Sequence, residues 1–276
     1  MADYSDTGLG KETLYNDQYD ASLLCPIPRS KARHQNEAGD TAVSAYIGVD
    51  LWTAFEISWL NRDGLPQVAI GEFIFPCTSD AIVESKSFKL YLNSFNQSHF
   101  GSMDDVSEIM RADLSAASGS SVDVILYEIA EYNGFKPIAE PSGICLDNRS
   151  VVIDTYQPDA RFLMASETVE ANQTLYSHLL RTNCPVTDQP DWASVYISYK
   201  GPQIDLDGLL QYIVSFRQHQ DFHEQCVEKI FCDIMARCKP TELSVYARYM
   251  RRGGLDINPY RSTLYRIPPS YRQVRQ

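Results

Sequence analysis

The sequence lacks the hydrophobic segments that would direct it into a membrane or out of the cell. Residues 1–15 are polar and contain no apolar core of a secretion signal. No hydrophobic run approaches the length that spans a bilayer. The seven cysteines, an odd number without a secretion signal, favour reduced thiols over a disulfide framework. We therefore expect a cytoplasmic globular protein of one large or two modest domains.

The motifs of common metal and dinucleotide sites are also missing. There is no CxxC, HExxH or paired histidine spacing. Cys226, Cys232 and Cys238 recur every six residues, but such steps place thiols on different faces of a helix, so we expect them to pack in the core. No metal is expected. No GxGxxG motif follows a predicted strand, so any nicotinamide cofactor must bind outside a Rossmann fold.

Positive charge is scarce over most of the chain. The net charge is −12, and such a field repels phosphate backbones, so direct nucleic-acid binding is not expected. Residues 248–276 are the exception, with one acid, Asp256, and the arginines Arg248, Arg251, Arg252, Arg261, Arg266, Arg272 and Arg275. Such a run is usually a solvated basic segment. The alternative is a local anion site gripped by guanidinium groups.

What is present is an order of elements that occurs twice. Residues alternate between apolar and polar in the predicted strands and follow helical spacing in the predicted helices. The first half gives a strand from Trp52, a strand at 68–75, helices at 87–96 and after an N-cap at Ser102, and a strand at 122–129. The second half gives strands at 174–180 and 194–199, helices at 209–218 and 224–238, and a strand at 243–249. A further strand is predicted near 150–154.

The residues repeat as well as the elements. The pattern Tyr91-x-x-Ser94-Phe95-x-Gln97 recurs at 212–218, a shift of 121, and Val106 and Ile109 match Val227 and Ile230 at the same shift. We predict an α+β protein of two tandem ββααβ-type units. The predicted divisions are an irregular arm over 1–50, a first module over 51–132, a connection over 133–170 and a second module over 171–276.

Each copy carries polar groups that the other lacks. The first helix of copy one opens with Glu84-Ser-Lys-Ser-Phe-Lys89, whereas its counterpart at 205–210 has no lysine or serine. Copy two has His223-Glu224 where copy one, in this alignment, has Gly101-Ser102. A site assembled from both copies would explain this division, and so would drift.

Cys184 is the strongest candidate for chemistry. It lies in Thr182-Asn-Cys-Pro-Val-Thr-Asp-Gln-Pro-Asp-Trp192, where two prolines and several hydrogen-bonding side chains fix a loop between two strands. A rigid polar loop can hold a thiolate. Asp191 returns across the loop as an acid or base. The other six cysteines are expected to be packed hydrophobes, which is the default for a free cysteine.

Other polar groups allow both a structural and a binding interpretation. Glu224, near the start of a helix, could complement the helix dipole or accept paired hydrogen bonds from an aminopurine edge. Lys86 and Lys89 could be solvated or could meet a phosphate near a helix N-terminus. Arg251-Arg252-Gly253-Gly254 is either a simple turn or a close approach to phosphate.

Four segments together resemble the NADPH-dependent nitrile reductases of queuosine biosynthesis. They are Glu84–Gln97, Asn183–Trp192, Phe222-His-Glu-Gln225 and Tyr249-Met-Arg-Arg-Gly-Gly-Leu-Asp-Ile-Asn-Pro259. The resemblance runs from Tyr19 to the final Val-Arg-Gln and is weakest over 130–170. Because the Glu-Ser-Lys-Ser motif precedes the cysteine motif in the other copy, the chain is similar to the long, two-module branch.

The resemblance implies tandem tunnelling-fold modules, in which ββααββ units have an antiparallel sheet with helices on one face. It implies that Cys184 attacks the nitrile of 7-cyano-7-deazaguanine to give a thioimide, that Asp191 supplies a proton, and that two NADPH molecules complete the reduction. The residues implied to hold the base are Glu84, Ser85, Lys86, His223 and Glu224. Those implied to meet NADPH are Lys86, Ser87, Arg252 and Gly253.

Two other functions remain compatible with the residues alone. One is a cysteine-dependent hydrolase acting on a purine-like substrate, and the other is a non-catalytic purine- or RNA-binding module. NADPH consumption separates the reductase from the hydrolase, and replacement of Cys184 separates both from a binding module. A homodimer without membrane association is expected from the two-module branch.

Overall fold

A computed structural model describes residues 15–33, 46–139, 141–266, 268 and 271–276. The described chain forms two compact units. The first contains the residues up to Ala32, those from Val49 to Pro137 and those from Arg251 to Ile257. The second contains the remaining described residues, so each unit is built from separate stretches of the chain.

The elements follow one another along the chain in the order below. The strands are β1 (Pro26–Pro28), β2 (Ile47–Leu60), β3 (Pro66–Pro76), β4 (Ala81–Val83), β5 (Asp123–Tyr127), β6 (Ile144–Cys145), β7 (Ala165–Asn183), β8 (Pro190–Ile204), β9 (Glu242–Tyr249) and β10 (Leu255–Ser262). The α-helices are α1 (Ser30–Arg33), α2 (Ser85–Ser94), α3 (Met103–Ser118), α4 (Ile129–Phe135), α5 (Leu206–Ser215) and α6 (His223–Cys238). Short 3₁₀ helices occur at Ala21–Leu23, Ala160–Phe162 and Phe216–Gln218.

The first unit is built on an antiparallel hairpin. β2 pairs with β3, and β3 pairs with β5 on its other side. α2 and α3 lie between β3 and β5 in the chain, and their apolar faces join the strands in one core. Alternate strand residues and helix residues at 3.6-residue spacing supply it, including Trp52, Phe73, Phe88, Tyr91, Phe95, Val106 and Met110.

The second unit repeats this arrangement. β7 pairs with β8 and β8 with β9, all antiparallel, and α5 and α6 lie between β8 and β9 in the chain. β10 adds an antiparallel partner to β9, and β6 a parallel one to β7. The α+β class and the antiparallel strand pairing predicted from the sequence are therefore confirmed.

The first helices of the two units correspond at the predicted shift of 121. Glu84 and Asp205 are the N-caps of α2 and α5, and each carboxylate accepts two backbone hydrogen bonds from the first turn. Near the other end, the hydroxyls of Ser94 and Ser215 donate to carbonyls three residues earlier, at 2.7 and 2.6 Å. The repeat detected in the sequence thus reflects equivalent local structure.

The second helices correspond at a shift of 120. The Tyr91 hydroxyl donates to Asp113 and the Tyr212 hydroxyl to Asp233, both at 2.6 Å. Hydrogen bonds to a carboxylate contribute about 1.5–3 kcal/mol each, so the pair is a substantial tie between helices. The buried helix positions show the same shift, with Val106, Met110, Leu114 and Ser118 on α3 and Cys226, Ile230, Ile234 and Cys238 on α6.

The predicted match of Val106 with Val227 is therefore wrong by one residue. His223 and Met103 are the first residues of their helices, so His223 corresponds to Met103 and not to Gly101. The strand predicted near 150–154 does not form either. The strands predicted in the second half are correct in position but short, since β7 and β8 extend over 165–183 and 190–204.

Two parts of the predicted arm are described, 15–33 and 46–50. Residues 47–50 belong to β2, and 15–33 is partly ordered into short elements. β1 pairs with β4, and the Tyr19 ring packs edge-on against Phe95 at 5.1 Å in the first unit. Residues 1–14 and 34–45 of that arm lie outside the described residues. None of the described helices combines the length and the hydrophobicity that crossing a bilayer requires.

Candidate functional site

Cys184 begins the hairpin loop that joins β7 to β8. The two strands pair up to Asn183 and Pro190, and the loop is then closed by a hydrogen bond from the Cys184 amide to the Gln189 carbonyl at 2.9 Å. The Cys184 carbonyl accepts from the Asp188 amide at 3.0 Å. Asp188 adopts the left-handed conformation, with φ of 56°, which aspartate tolerates better than most residues. Cys184 itself is half-buried.

The pairing of β7 and β8 brings Asp191 to the same face as Cys184. Asp191 lies opposite Thr182. Cys184 is two residues beyond Thr182, just past the end of β7, where its amide continues the pairing by bonding to Gln189. Side chains two residues apart share a face, and diagonal neighbours of an antiparallel pair are within reach of each other. Further along β8, Ala193 and Val195 on this face are buried, so Asp191 lies at the edge of the core of the second unit.

A second loop fastens the residue before the cysteine. The Asn183 amide donates to the His219 carbonyl at 2.7 Å, and the Asn183 carbonyl accepts from the Asp221 amide at 3.2 Å. The Gln220 side chain adds a 2.8 Å hydrogen bond to the Asp188 carboxylate. Burial raises the pKa of Asp221, although His219 beside it acts in the opposite direction. The Cys184 loop is therefore tied to the segment that leads into α6.

That segment delivers His223 to Asp191. His223 is the first residue of α6, and its Nε2 lies 3.3 Å from Oδ2 of Asp191. Both side chains are largely buried, with exposures of 12% and 3%. Glu224 follows in the first turn and is 2% exposed, at the end of the helix where a negative charge is stabilised by the dipole. The structure thus brings together Asp191, His223 and Glu224 beside the Cys184 loop.

The sequence alone did not indicate a role for Tyr249, which packs against His223. The Tyr249 ring is fully buried and lies parallel to the His223 imidazole, with centroids 3.7 Å apart. Burial raises the pKa of Tyr249 well above its usual value, and the nearby Cys226 and Asp191 act in the same direction. The only signal in the sequence was the position of Tyr249 at the start of the Arg-Arg-Gly-Gly motif, which gives no indication of contact with His223.

The hairpin of the first unit has the same backbone connections as the Cys184 hairpin. The Asn61 amide donates to the Leu65 carbonyl at 3.0 Å, as Cys184 does to Gln189. The preceding residue, Leu60, donates to Ser98 at 2.9 Å, as Asn183 does to His219. Asn61 therefore occupies the position of Cys184 in the first unit.

The side chains at these equivalent positions have different chemistry. Oδ1 of Asn61 accepts hydrogen bonds from the backbone amides of Asp63 and Leu65 in a local turn. Gln67, which lies opposite Trp59, occupies the position that Asp191 has in the second unit. An amide can act neither as a nucleophile of this kind nor as a proton donor at neutral pH. Of the two equivalent hairpins, the one in the second unit alone thus carries a thiol and a carboxyl at these positions.

Two side chains of the Glu-Ser-Lys-Ser motif, those of Glu84 and Ser87, make hydrogen bonds to backbone groups of the chain itself. The Glu84 carboxylate caps α2 by accepting the amides of Lys86 and Ser87 at 2.8 and 2.7 Å. The Ser87 hydroxyl donates to the Glu84 carbonyl at 2.7 Å and accepts from the Cys25 amide at 3.0 Å. Ser85 and Lys86 are half-buried. The members of the motif with side chains toward solvent are therefore Ser85 and Lys86.

A glycine turn lies beside α2 in the first unit. Arg252 and Leu255 exchange backbone hydrogen bonds at 2.9 and 3.3 Å, and the turn residues Gly253 and Gly254 have φ of 58° and 76°. A side chain at Gly253 would begin 3.4 Å from Cδ of Lys89, while Glu56 lies beside Gly254. Lys86 is one turn earlier than Lys89 on the helix, so the two ammonium groups share a face. Lysines, a half-buried arginine and accessible backbone are the groups that bind phosphates.

The basic run at 248–276 does not form a single solvated surface. Arg261 is completely buried and pairs with Glu228 at 2.9 Å, and Arg248 is buried and bonds to the Tyr246 hydroxyl at 2.6 Å. Arg266 pairs with Glu242 at the surface. Among the described residues, no group of three His, Cys, Asp or Glu side chains is arranged to hold a metal ion.

Comparisons with known proteins match almost the whole chain. The family profile "Nitrile reductase, 7-cyano-7-deazaguanine-reductase N-term" matches residues 15–126, and the profile "QueF-like protein" matches 190–266. A protein of Burkholderia multivorans named NADPH-dependent 7-cyano-7-deazaguanine reductase is 54% identical over 270 residues, 97% of each chain. Proteins of the same name from Burkholderia orbicola and Burkholderia vietnamiensis are 53% identical over 272 and 270 residues, again 97% of this chain and 98% and 97% of theirs.

The burial of the cysteines predicts their order of alkylation. Cys25, Cys145 and Cys184 are half-buried, whereas Cys77, Cys226, Cys232 and Cys238 are buried. Burial also raises the pKa of the Cys226 thiol, of Cys232 to about 12 and of Cys238 to about 11, which removes the reactive thiolate. We expect iodoacetamide at pH 7.5 to modify Cys184 at least about tenfold faster than the buried four, measured by peptide mass spectrometry. Equal rates for Cys184 and Cys226 would contradict the structure.

Proposed function

Because the chain belongs to the family of NADPH-dependent 7-cyano-7-deazaguanine reductases, we propose that it reduces the nitrile of 7-cyano-7-deazaguanine to a primary amine in queuosine biosynthesis. One observation carries the proposal at the level of residues. A half-buried thiol, Cys184, and a buried carboxyl, Asp191, share one face of a hairpin, and His223 lies 3.3 Å from that carboxyl. This is the set of groups that addition to a nitrile requires.

In the first step the Cys184 sulfur adds to the nitrile carbon. An S–C bond forms, one C–N π bond breaks, and its electron pair moves to nitrogen. The thiol proton passes to the Asp191 carboxylate and from there to nitrogen, so the net change is addition of S–H across the triple bond to give a thioimide. Covalent capture divides a four-electron reduction into two smaller steps. The proton matters because an unprotonated nitrogen would have to carry the developing negative charge.

Two hydride transfers complete the reaction. The hydrides come from two NADPH molecules and go to the former nitrile carbon. After the first, nitrogen takes a proton and the C–S bond breaks with its electron pair on sulfur, which returns the thiolate and leaves a protonated imine. The second hydride converts the protonated imine to the aminomethyl product, and the second proton restores the Cys184 thiol. The overall change consumes two NADPH and two protons for each nitrile.

The remaining polar residues are assigned to binding. Glu224 and His223 hold the heterocycle in the second unit, since a carboxylate accepts paired hydrogen bonds from an amino-lactam edge. In the first unit, Ser85 and Lys86 are proposed to bind the base. The resemblance also implies that Glu84 binds the base, but its carboxylate caps α2, so its proposed role is to fix the helix that carries Ser85 and Lys86.

The first unit also carries the groups proposed for NADPH. Lys86, Arg252 and Gly253 fit a dinucleotide phosphate, since cationic side chains stand next to a turn whose glycine backbone a phosphate can approach. Lys89, beside Gly253, is added to this set. Ser87, which the resemblance places in this set, has its hydroxyl bonded to Glu84 and Cys25 and its amide bonded to the Glu84 carboxylate, so its proposed part is to hold the start of α2.

The proposal extends to fold family and assembly. The repeated ββααβ order, completed to ββααββ by β10 in the second unit, supports tunnelling-fold modules. A homodimer in the cytoplasm, acting on the free base without binding nucleic acid directly, completes the proposal.

Covalent capture is tested without cofactor. Incubation with 7-cyano-7-deazaguanine alone is expected to increase the protein mass by that of the ligand, with the adduct on the peptide containing Cys184. Cys184→Ala should abolish the adduct and turnover, whereas Cys145→Ala, which removes another half-buried thiol, should retain both. Formation of a hydrolysed product from the nitrile base without NADPH oxidation would instead indicate a hydrolase. Unchanged activity of Cys184→Ala in cells would indicate a binding module.

Asp191 is tested by an isosteric change. Asp191→Asn keeps the shape of the side chain but removes the transferable proton, so we expect the rate of reduction to fall by about 100-fold or more while the nitrile base still binds. Single-turnover NADPH oxidation measures the rate and calorimetry the binding. The control is Asp188→Asn in the same loop, since asparagine also tolerates the left-handed conformation found there. Full activity of Asp191→Asn would remove Asp191 from the mechanism.

Cofactor binding is tested separately from covalent chemistry. Arg252→Ala should raise the KM for NADPH about 10-fold or more, the effect of losing a charge-assisted hydrogen bond, while cofactor-free adduct formation keeps its rate. Steady-state kinetics and adduct mass measure the two quantities. The neighbouring Arg251, whose guanidinium lies over the Phe55 ring at 4.7 Å, is the matched control. An equal rise in KM for Arg251→Ala would show that general charge, and not Arg252, is responsible.

A further inference from the structure

The Tyr249 ring supports the imidazole of His223. The two rings are stacked 3.7 Å apart with only 6° between their planes, and Tyr249 has no exposed surface. His223 is the first residue of α6, so helical hydrogen bonds restrain its side chain less than those deeper in the helix. A parallel ring at contact distance restricts rotation of the imidazole about its own side-chain bond. Tyr249 therefore restrains the plane of the imidazole.

The plane of the imidazole decides what its nitrogen contacts. In the observed orientation Nε2 of His223 lies 3.3 Å from Oδ2 of Asp191. A quarter turn of the ring would move Nε2 out of the plane that contains this contact. Tyr249 itself lies opposite Ala193, two residues beyond Asp191 on β8, so Tyr249 and Asp191 point to the same face of the sheet.

The backbone of Tyr249 is clamped on both sides. Its amide donates to Oδ1 of Asn258 at 3.0 Å, and its carbonyl accepts from Nε2 of Gln276 at 3.1 Å. The same Nε2 also donates to Oδ1 of Asn258 at 2.9 Å, which closes a ring of three hydrogen bonds. Asn258 is completely buried and Gln276 nearly so. Tyr249 is thus fixed at the end of β9, where a strand would otherwise fray.

Gln276 is itself fully engaged. Its Oε1 accepts from Nε of the buried Arg248 at 2.8 Å and from the Gln273 amide at 3.3 Å. With the two bonds donated by Nε2, the side-chain amide makes four hydrogen bonds, its full capacity. Buried polar networks of this kind are rigid when every member is satisfied. The orientation of Gln276 is therefore determined by the fold.

We propose that Tyr249 is a positioning residue that holds the His223 imidazole against Asp191, and that Gln276 fixes the backbone from which its ring projects. The inference rests on the proposed function, because it assigns Tyr249 a part in orienting the proposed acid. A displacement of about 1 Å at a reacting group can reduce a rate about 100-fold, so support of this kind has kinetic weight.

The test separates ring stacking from the hydroxyl. Tyr249→Phe keeps the ring and should form the adduct within about twofold of the wild-type rate, whereas Tyr249→Leu removes the stack and should slow adduct formation about 10- to 100-fold at saturating nitrile base. The matched control is Tyr212→Leu, which also removes a completely buried tyrosine from the second unit but does not contact His223. It should lower the melting temperature without slowing adduct formation.

A spectroscopic signature reports on the stack independently of activity. In a ¹H–¹³C NMR spectrum of histidine-labelled protein, ring current from Tyr249 should shift the imidazole protons of His223 upfield. The chain has five histidines, and His223→Gln assigns the signal. The shift should persist in Tyr249→Phe and in Tyr212→Leu and disappear in Tyr249→Leu. Gln276→Ala, which keeps the Tyr249 ring but removes the hydrogen bonds to its carbonyl and to Asn258, should reduce both the shift and the rate of adduct formation.

The outcomes distinguish this inference from the proposed function. If the wild-type protein forms no adduct, the proposed function fails whatever the NMR spectrum shows. If wild type and a folded Tyr249→Leu form the adduct at equal rates, or if the His223 shift survives in that variant, the positioning role is wrong although the reductase chemistry stands. If Tyr249→Leu does not fold, Gln276→Ala decides, and wild-type rate and shift in that variant would overturn the role of the clamp.

Discussion

The site depends on the antiparallel pairing of β7 with β8 as far as Asn183 and Pro190. This register places Asp191 opposite Thr182 and so puts it on the face where Cys184 emerges. A slip of one residue would move either side chain to the other face, because alternation along a strand has a period of two. The hydrogen bonds between Asn183 and the segment before α6 then bring His223 to the same place. The register of one hairpin thus sets the positions of the proposed nucleophile, of the proposed acid and of the start of α6.

The first unit shows that this scaffold does not itself require chemistry. It has the same closing hydrogen bonds, yet Asn61 and Gln67 stand where Cys184 and Asp191 do. The Asn61 side chain stabilises its own turn, whereas the loop of Cys184 is held by the Asp188 backbone and the Gln220 side chain. Because other residues hold this loop, the Cys184 side chain has no structural hydrogen bond to make. The two equivalent loops therefore differ in whether the side chain at this position stabilises its own turn.

The sequence indicated those features that depend on neighbours along the chain. Strand alternation, the Ser102 N-cap and the rigid Cys184 loop follow from local rules, and the structure agrees with each. Contacts between distant segments were not predictable in the same way. Nothing local distinguishes Arg261, fully buried against Glu228, from the surface arginines around it. The stack of Tyr249 on His223 and the clamp by Gln276 arise only when β9, α6 and the residues after β10 meet.

Hydrogen-bond capacity explains why motif residues divide into two kinds of role. The Glu84 carboxylate and the Ser87 hydroxyl bond to backbone groups of the chain, which makes them rigid and withdraws them from ligands. Gln276 is an extreme case, with every donor and acceptor of its amide used. The half-buried Cys184 is of the other kind, since rigid neighbours present it without using its sulfur. A side chain can therefore belong to a functional motif because it makes another residue rigid, and its own saturated hydrogen bonds are the observation that reveals this.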